Sequence, residues 1–194
     1  MAQPGGRTKF IVVSGPSGVG KTTLCRRLLE GFPKRLCWSV SATTRPARTG
    51  EVEGIDYFFL ASGQFDRRAR AGEFLEWATV FGNRYGTPAA NVEAAFAAGK
   101  SLLAELDVQG GRAVKSRYGS DALLIFIDPP DRGELANRLL GRGSEDPSEI
   151  SGRLSRASGE SVEGQKYDYR IVNDDLEVCY RKLLEILRQE GVLK

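Results

Sequence analysis

The sequence predicts an α/β fold, a parallel sheet flanked by helices. Two observations carry this. Apolar, strand-like runs at Lys9–Ser14, Ser101–Asp107, Ala122–Ile127 and Tyr169–Val172 alternate with helical stretches. Strands alternating with helices build parallel sheets covered by those helices. The first run leads without a gap into Gly15-Pro-Ser-Gly-Val-Gly-Lys-Thr22, followed by a helix with leucines at 24, 28 and 29. Strand, glycine loop and helix is the context required by the pattern G-x-x-x-x-G-K-[ST].

The loop has a chemistry of its own. Gly15, Gly18 and Gly20 permit positive φ and close approach, so successive amide N–H groups can point inward at phosphate oxygens. The helix starting near Lys21 adds its free N–H groups and the positive end of its dipole. Lys21 can reach the outer phosphates, and the Thr22 hydroxyl can hold Mg²⁺.

Along the chain, Gly31 closes the first helix, and Leu36–Val40 reads as a second core strand. Ser41–Gly54 is polar, basic and broken by Gly and Pro, a functional loop rather than an element. Its arginines, Arg45 and Arg48, have the forked geometry that suits phosphate. Ile55–Leu60 reads as a strand, and Ser62 as the cap of a helix that Gly72 ends. Phe74–Phe81 and the following Gly82–Tyr85 read as a hairpin. Residues 38 to about 90 therefore form a small, mostly antiparallel insertion.

Pro88 opens a helix over Ala89–Ala98 that ends at Gly99. Ser101–Asp107 is a buried strand. Gly110 and Gly111 turn the chain into a helix ending at Gly119. Ala122–Ile127 is the most deeply buried strand, stopped by Asp128-Pro-Pro130. Residues 131–160 are helical and arginine-rich, with Gly141, Gly143 and Pro147 marking a break. Leu176–Arg188 is the last helix.

Composition bounds the function. The 194 residues suffice for one well-buried domain, and 41% hydrophobic against 27% charged residues is a globular balance. A net charge of +3 fits anionic substrates without marking a nucleic-acid binder. The absence of histidine excludes His-based catalysis and His metal sites. Cys25, Cys37 and Cys179 are odd in number and lack metal-type spacing, which predicts reduced thiols in a cytoplasmic protein. No apolar run approaches membrane-spanning length, so no membrane partner is expected. Met1–Thr8 is polar and Gly-rich, a flexible lead-in rather than a signal peptide.

In P-loop folds a carboxylate at the end of a neighbouring strand helps hold Mg²⁺. Glu105 and Asp107 stand where the Ser101–Asp107 run leaves the core, and a spacing of two puts both on one face of an extended chain. Leu102 and Leu106, on the other face, are core.

Several segments taken together resemble guanylate kinase: the glycine loop, Val40–Tyr57 with Arg45, Arg48 and Asp56, then Phe74–Trp77, Tyr85–Thr87, Asp107–Gly110 and Ile171–Asp175. The resemblance covers nearly the whole chain from Lys9 onward, and the arginine segment is its most specific part. It implies a P-loop NTPase core (about 9–37, 88–130 and 162–194), a GMP-binding insertion (about 38–87) and a helical lid (about 131–161). It also implies site residues. Gly15, Pro16, Ser17, Gly18, Val19, Gly20, Lys21, Thr22 and Thr23 bind ATP, with Asn173 near the adenine. Ser41, Glu76 and Asp107 resemble readers of guanine. Arg45, Arg48, Tyr57 and Tyr85 resemble the clamp on the GMP phosphate, with Thr87 close by. Arg138, Arg142 and Arg153 resemble lid arginines that meet the ATP phosphates. Lys21, Arg45 and the lid arginines form the catalytic set, and Thr22 and Glu105 the Mg²⁺ set. ATP and GMP are the expected substrates, for a monomer or a homodimer. Two features depart from the family's pattern. Arg156 stands where a small residue is expected, and Gly159 and Gly164 predict a looser returning helix in the lid. The rival class is a guanylate-kinase-like protein-binding module; such modules usually carry a degraded phosphate loop, whereas Gly20-Lys21-Thr22 is intact here.

Overall fold

The computed structural model describes residues 7–80, 82–140 and 147–194. Met1–Gly6, most of the expected lead-in, lies outside them, as do Phe81, Gly141, Arg142 and Gly143.

Five strands form a parallel sheet: β1 (Phe10–Ser14), β2 (Leu36–Trp38), β7 (Ser101–Glu105), β8 (Ala122–Asp128) and β9 (Tyr169–Val172), in the order β2-β7-β1-β8-β9. β1 is central and its five residues are all buried. Successive side chains on a strand face opposite ways. Ile11 and Val13 join Leu24 and Leu28 of α1 (Lys21–Gly31) and Leu183 and Leu187 of α7 (Leu176–Gln189) in one apolar layer. Phe10 and Val12 join Val92 of α3 (Ala89–Ala97) and Val114 of α4 (Val108–Tyr118) in the other. Each layer excludes water from one face, and truncating a leucine such as Leu28 to alanine costs about 2–5 kcal/mol.

A second sheet holds β3 (Ser41–Thr43), β4 (Tyr57–Phe59), β5 (Phe74–Val80) and β6 (Asn83–Pro88), in the order β4-β3-β6-β5. β3 runs parallel to β4, and the other two pairings are antiparallel. Phe65 of α2 (Ser62–Arg70) stacks on Phe74 and, with Ala42, forms this sheet's own small core. Two helices, α5 (Arg132–Leu140) and α6 (Pro147–Gly164), follow β8.

The sequence reading needs correction in five places. Ser41–Thr43 is a strand, not part of a loop: its small and β-branched residues pair on both sides, with β4 and β6. Ser62 is the first helical residue of α2 and not its cap. Ala61 holds the cap position, and its N–H donates to Gln64 Oε1 at 3.0 Å. Gly110 and Gly111 lie inside α4, where a turn is expected from the sequence. They are glycines because of neighbours: a Cβ on Gly111 would stand 2.2 Å from the Tyr167 hydroxyl. Asp107 does not share an extended face with Glu105. β7 ends at Glu105, and Asp107 caps α4, its Oδ1 accepting from Gly110 N at 2.8 Å. Finally, α6 runs unbroken through Gly159, and Gly164 marks close packing rather than looseness. A Cβ there would meet the Phe126 ring at 2.6 Å.

Candidate active site

The glycine loop joins β1 to α1. Gly15, Gly18 and Gly20 have φ of 144°, 87° and 97°, in the region that favours glycine. At Gly15 a Cβ would also lie 2.2 Å from the Ile127 carbonyl oxygen, so the loop presses on the end of β8. Val19 and Pro16 are buried, while Thr22 and Thr23 are exposed on the first turn of α1. Lys21 Nζ donates to the carbonyls of Gly15 at 2.6 Å and Pro16 at 2.9 Å, which folds the ammonium over the loop. The Thr22 hydroxyl donates to Glu105 Oε2 at 3.1 Å, so the end of β7 meets the start of α1.

Asn173 follows β9 and is buried, at 3% exposure. Its Nδ2 donates to the Val19 carbonyl at 2.7 Å, and a Cβ on Gly20 would strike that nitrogen. The side chain thus braces the loop from behind. Arg138 of α5 connects to the same segment. Its guanidinium donates to Asn173 O at 2.9 Å and to Glu134 Oε1 at 2.8 Å.

The second sheet gathers the remaining expected residues through register. Ser41 pairs with Tyr57, Thr43 with Tyr85, and Glu76 with Thr87. The Tyr57 and Tyr85 rings meet edge-on, with centroids 6.0 Å apart, and Arg45 lies 5.4 Å from the Tyr57 ring centre. Burial, helped by Glu105 and Tyr85, pushes the Tyr57 hydroxyl up to about 12, so it stays a donor. The Thr87 hydroxyl donates to Glu76 Oε1 at 2.6 Å. The other Glu76 oxygen faces the first turn of α4, where a Cβ on Gly110 would come within 3.2 Å of it. Glu76 of the second sheet therefore converges with Asp107, which follows β7 of the first. Burial pushes the Glu76 carboxyl above its ordinary value; the Thr87 hydroxyl opposes the rise and the Asp107 charge adds to it.

Beside this pair, Ser17, Asp107, Arg156 and Glu160 line a cleft of about 510 Å³ between the loop, α4 and α6. Its lining combines these charged groups with apolar surface.

A family model described as guanylate kinase matches residues 7–190. The chain belongs to the guanylate kinase family. A guanylate kinase of Rhodopseudomonas palustris is 49% identical over 184 residues, covering 95% of this chain and 83% of that one. A guanylate kinase of Rubrobacter xylanophilus is 45% identical, covering 94% and 95%. The crystal structure of guanylate kinase from Anaplasma phagocytophilum superposes with a TM-score of 0.79 at 36% identity, covering 97% of this chain and 89% of that one.

Of the expected residues, Ser17 and Asp107 line the cleft, Lys21, Thr22 and Glu105 meet at the glycine loop, and Arg45, Tyr57, Tyr85, Glu76 and Thr87 are brought together by the second sheet. Three stand apart. Arg142 lies outside the described residues, as does the side chain of Arg153. Arg138 engages Asn173 and Glu134. Three further features escape sequence reasoning. Glu51 binds Arg45, and its signal is a carboxylate six residues from that arginine within the basic segment. Glu160 lines the cleft, with its carboxyl pushed up by burial against the opposing pull of Lys21. Ser14 and Tyr167 hydrogen-bond to each other beneath the site, and nothing in sequence spacing joins residues 153 positions apart.

Proposed function

We propose that this guanylate kinase transfers the terminal phosphoryl group of ATP to GMP, giving ADP and GDP. The convergence of Glu76 and Asp107 beside the Arg45 segment, across from an intact phosphate loop, carries the reading. Guanine presents donors at N1 and N2, which carboxylates accept, while adenine presents an acceptor at N1, which they repel. A buried polar mismatch of this kind discriminates strongly.

The roles are those that the family resemblance implies. Gly15 to Thr23 cradle the ATP phosphates, and Lys21 swings from its loop carbonyls to the transferring group. Asn173 acts on the loop it braces. Ser41, Glu76 and Asp107 hold the guanine, with Thr87 fixing the Glu76 carboxylate. Arg45, Arg48, Tyr57 and Tyr85 hold the acceptor phosphate, whose oxygen attacks, so no protein nucleophile is needed. Catalysis then consists of alignment and charge neutralisation. Residues 38–87 act as the acceptor-binding unit. The helices of 131–161 act as a lid whose arginines, Arg138, Arg142 and Arg153, neutralise charge on closure and whose closing excludes water.

Thr22 and Glu105 fit Mg²⁺: their oxygens lie 3.1 Å apart at the mouth of the loop, and both are hard donors of the type that ion prefers. Bound with ATP, the ion would supply neutralisation of phosphate charge. No helix among the described residues is long and apolar enough to cross a membrane. Three free cysteines support a cytoplasmic enzyme.

A coupled assay of ADP formation with GMP, AMP, CMP and UMP tests the reading. Efficient turnover with GMP alone is expected. Preference for another nucleotide, or none, overturns it.

A further inference from the structure

Below the cleft, three structural pieces meet at one hydroxyl. Tyr167 sits between α6 and β9 and is buried, at 8% exposure, with its ring edge-on to Phe126 at 5.5 Å. Its hydroxyl donates to Ser14 Oγ at 2.7 Å, and Ser14 Oγ donates onward to the Leu106 carbonyl at 2.7 Å. Ser14 is the last residue of β1 and directly precedes Gly15 of the phosphate loop. Leu106 directly precedes Asp107. The β1–β7 register ends at Val13 paired with Glu105. One step further on, the strands part towards different sites, and the Ser14 side chain bridges them.

The bridge depends on which way the Ser14 hydroxyl points. A serine hydroxyl has one proton and two acceptor positions. With Tyr167 donating into it, its own proton is directed to Leu106. Without that donor, the hydroxyl is free to turn. The surrounding packing keeps Tyr167 in place. Gly111 leaves its hydroxyl room that any Cβ would fill, and Gly164 lets the end of α6 close on Phe126. Burial pushes the Tyr167 hydroxyl up to about 12, so it remains a donor throughout the working pH range.

We propose that Tyr167 is a positioning residue for phosphoryl transfer, acting through Ser14 to fix the phosphate loop relative to Asp107. The inference rests on the assignment of the loop to ATP and of Asp107 to guanine. The loop places the donor and Asp107 places the acceptor, so the bridge sets the alignment of the two substrates. Alignment governs the chemical step more than the binding of either partner alone, and a small misplacement costs up to about a hundredfold in rate.

Tyr167→Phe removes one oxygen and keeps the ring. The test measures kcat with GMP, the separate dissociation constants of ATP and GMP, and thermal stability. The expected result is a kcat lower by about tenfold, with each dissociation constant changed by less than about threefold. Ser14→Ala should reproduce the loss, and the double variant should be no worse than Ser14→Ala, because both remove the same bridge. Ser14→Ala also carries the test if Tyr167→Phe proves too unstable to assay. A native kcat in either single variant overturns the proposal. So do losses that add in the double variant, or a loss confined to the dissociation constants. GMP turnover by the unsubstituted enzyme is the control: its absence indicts the substrate assignment and not the bridge.

Discussion

One terminal nitrogen of Arg45 donates to both oxygens of the Glu51 carboxylate, at 2.7 and 2.9 Å. Glu51 also accepts from the Arg48 backbone N–H at 2.7 Å. The pair is largely shielded from solvent, with side-chain exposures of 12% and 19%. One carboxylate thus sets the direction of the Arg45 fork and the path of the chain that carries Arg48. Glu51→Gln keeps the shape and removes the charge. It should weaken GMP binding by about 1 kcal/mol, since a charge-assisted bond is replaced by a neutral one, and leave ATP binding unchanged. Calorimetric titration of each nucleotide checks this. Tighter GMP binding in the variant would mean that Glu51 competes with the substrate for Arg45.

Lys21 rests on the carbonyls of Gly15 and Pro16. In the proposed reaction the outer phosphates of ATP take the place of these carbonyls. Lys21→Ala should lower kcat on the order of a hundredfold or more, with the thermal transition little changed, because the lost charge acts on the transition state. Steady-state rates with saturating ATP and GMP measure it. Near-native turnover would remove the loop from the catalytic machinery.

Two glycines predict opposite effects on stability. At Gly111 a new Cβ lies 2.2 Å from the Tyr167 hydroxyl, so Gly111→Ala forces repacking and should cost about 1–3 kcal/mol. At Gly152, exposed on α6, a new Cβ meets nothing within 4 Å. Gly152→Ala should stabilise by about 0.5–1 kcal/mol, through a less flexible unfolded chain. Denaturant melts of the two variants decide both signs, and a neutral Gly111→Ala would show that Tyr167 yields easily.

The contrast also explains what is legible in the sequence. The inner strands of the parallel sheet, β1, β7 and β8, can be read because burial on both faces leaves an apolar run that needs no partner to identify it. The phosphate loop can be read because its glycines and lysine have one well-defined backbone use. Ser41–Thr43 reads as a loop because a short polar strand is made a strand by β4 and β6 and not by its own composition. Gly110 and Gly111 mislead for a related reason. Glycine is the local signal of a turn, but here the demand for it comes from Glu76 and Tyr167, which approach from distant parts of the chain. The pairing of Glu76 with Thr87 is out of reach of spacing alone, since it follows from hairpin register. The resemblance implies the neighbourhood of Ser41, Glu76 and Asp107, and only the folded chain shows the contacts of Glu76 within it.

Glu76 offers the sharpest test, because its charge can be removed in two independent ways. Its carboxyl is buried, raised above its ordinary value, and bonded to Thr87 at 2.6 Å. In the proposed role, guanine needs it ionised, as an acceptor for N1–H and N2–H. Protonation at low pH places a hydrogen where the base already presents one. The raised pKa means that this happens at a higher pH than for a free glutamate. The acid limb of kcat/KM for GMP should therefore lie above the usual carboxylate range, with efficiency falling as pH drops through the raised value. Stability runs the other way. The folded state holds this proton more tightly than the unfolded chain, so its contribution to stability is present below the ordinary glutamate range and lost as pH rises through the raised pKa. Glu76→Gln makes the loss of charge permanent. It should lower GMP efficiency by roughly 2–4 kcal/mol in transition-state terms and leave AMP unchanged or slightly better, since an amide can donate to adenine N1. It should also remove the limb that belongs to this residue. The measurement is kcat/KM for GMP and AMP against pH, on both proteins. An unchanged GMP-to-AMP ratio, with the acid limb still in place in the variant, would take Glu76 out of base recognition and leave it to Asp107 and Ser41.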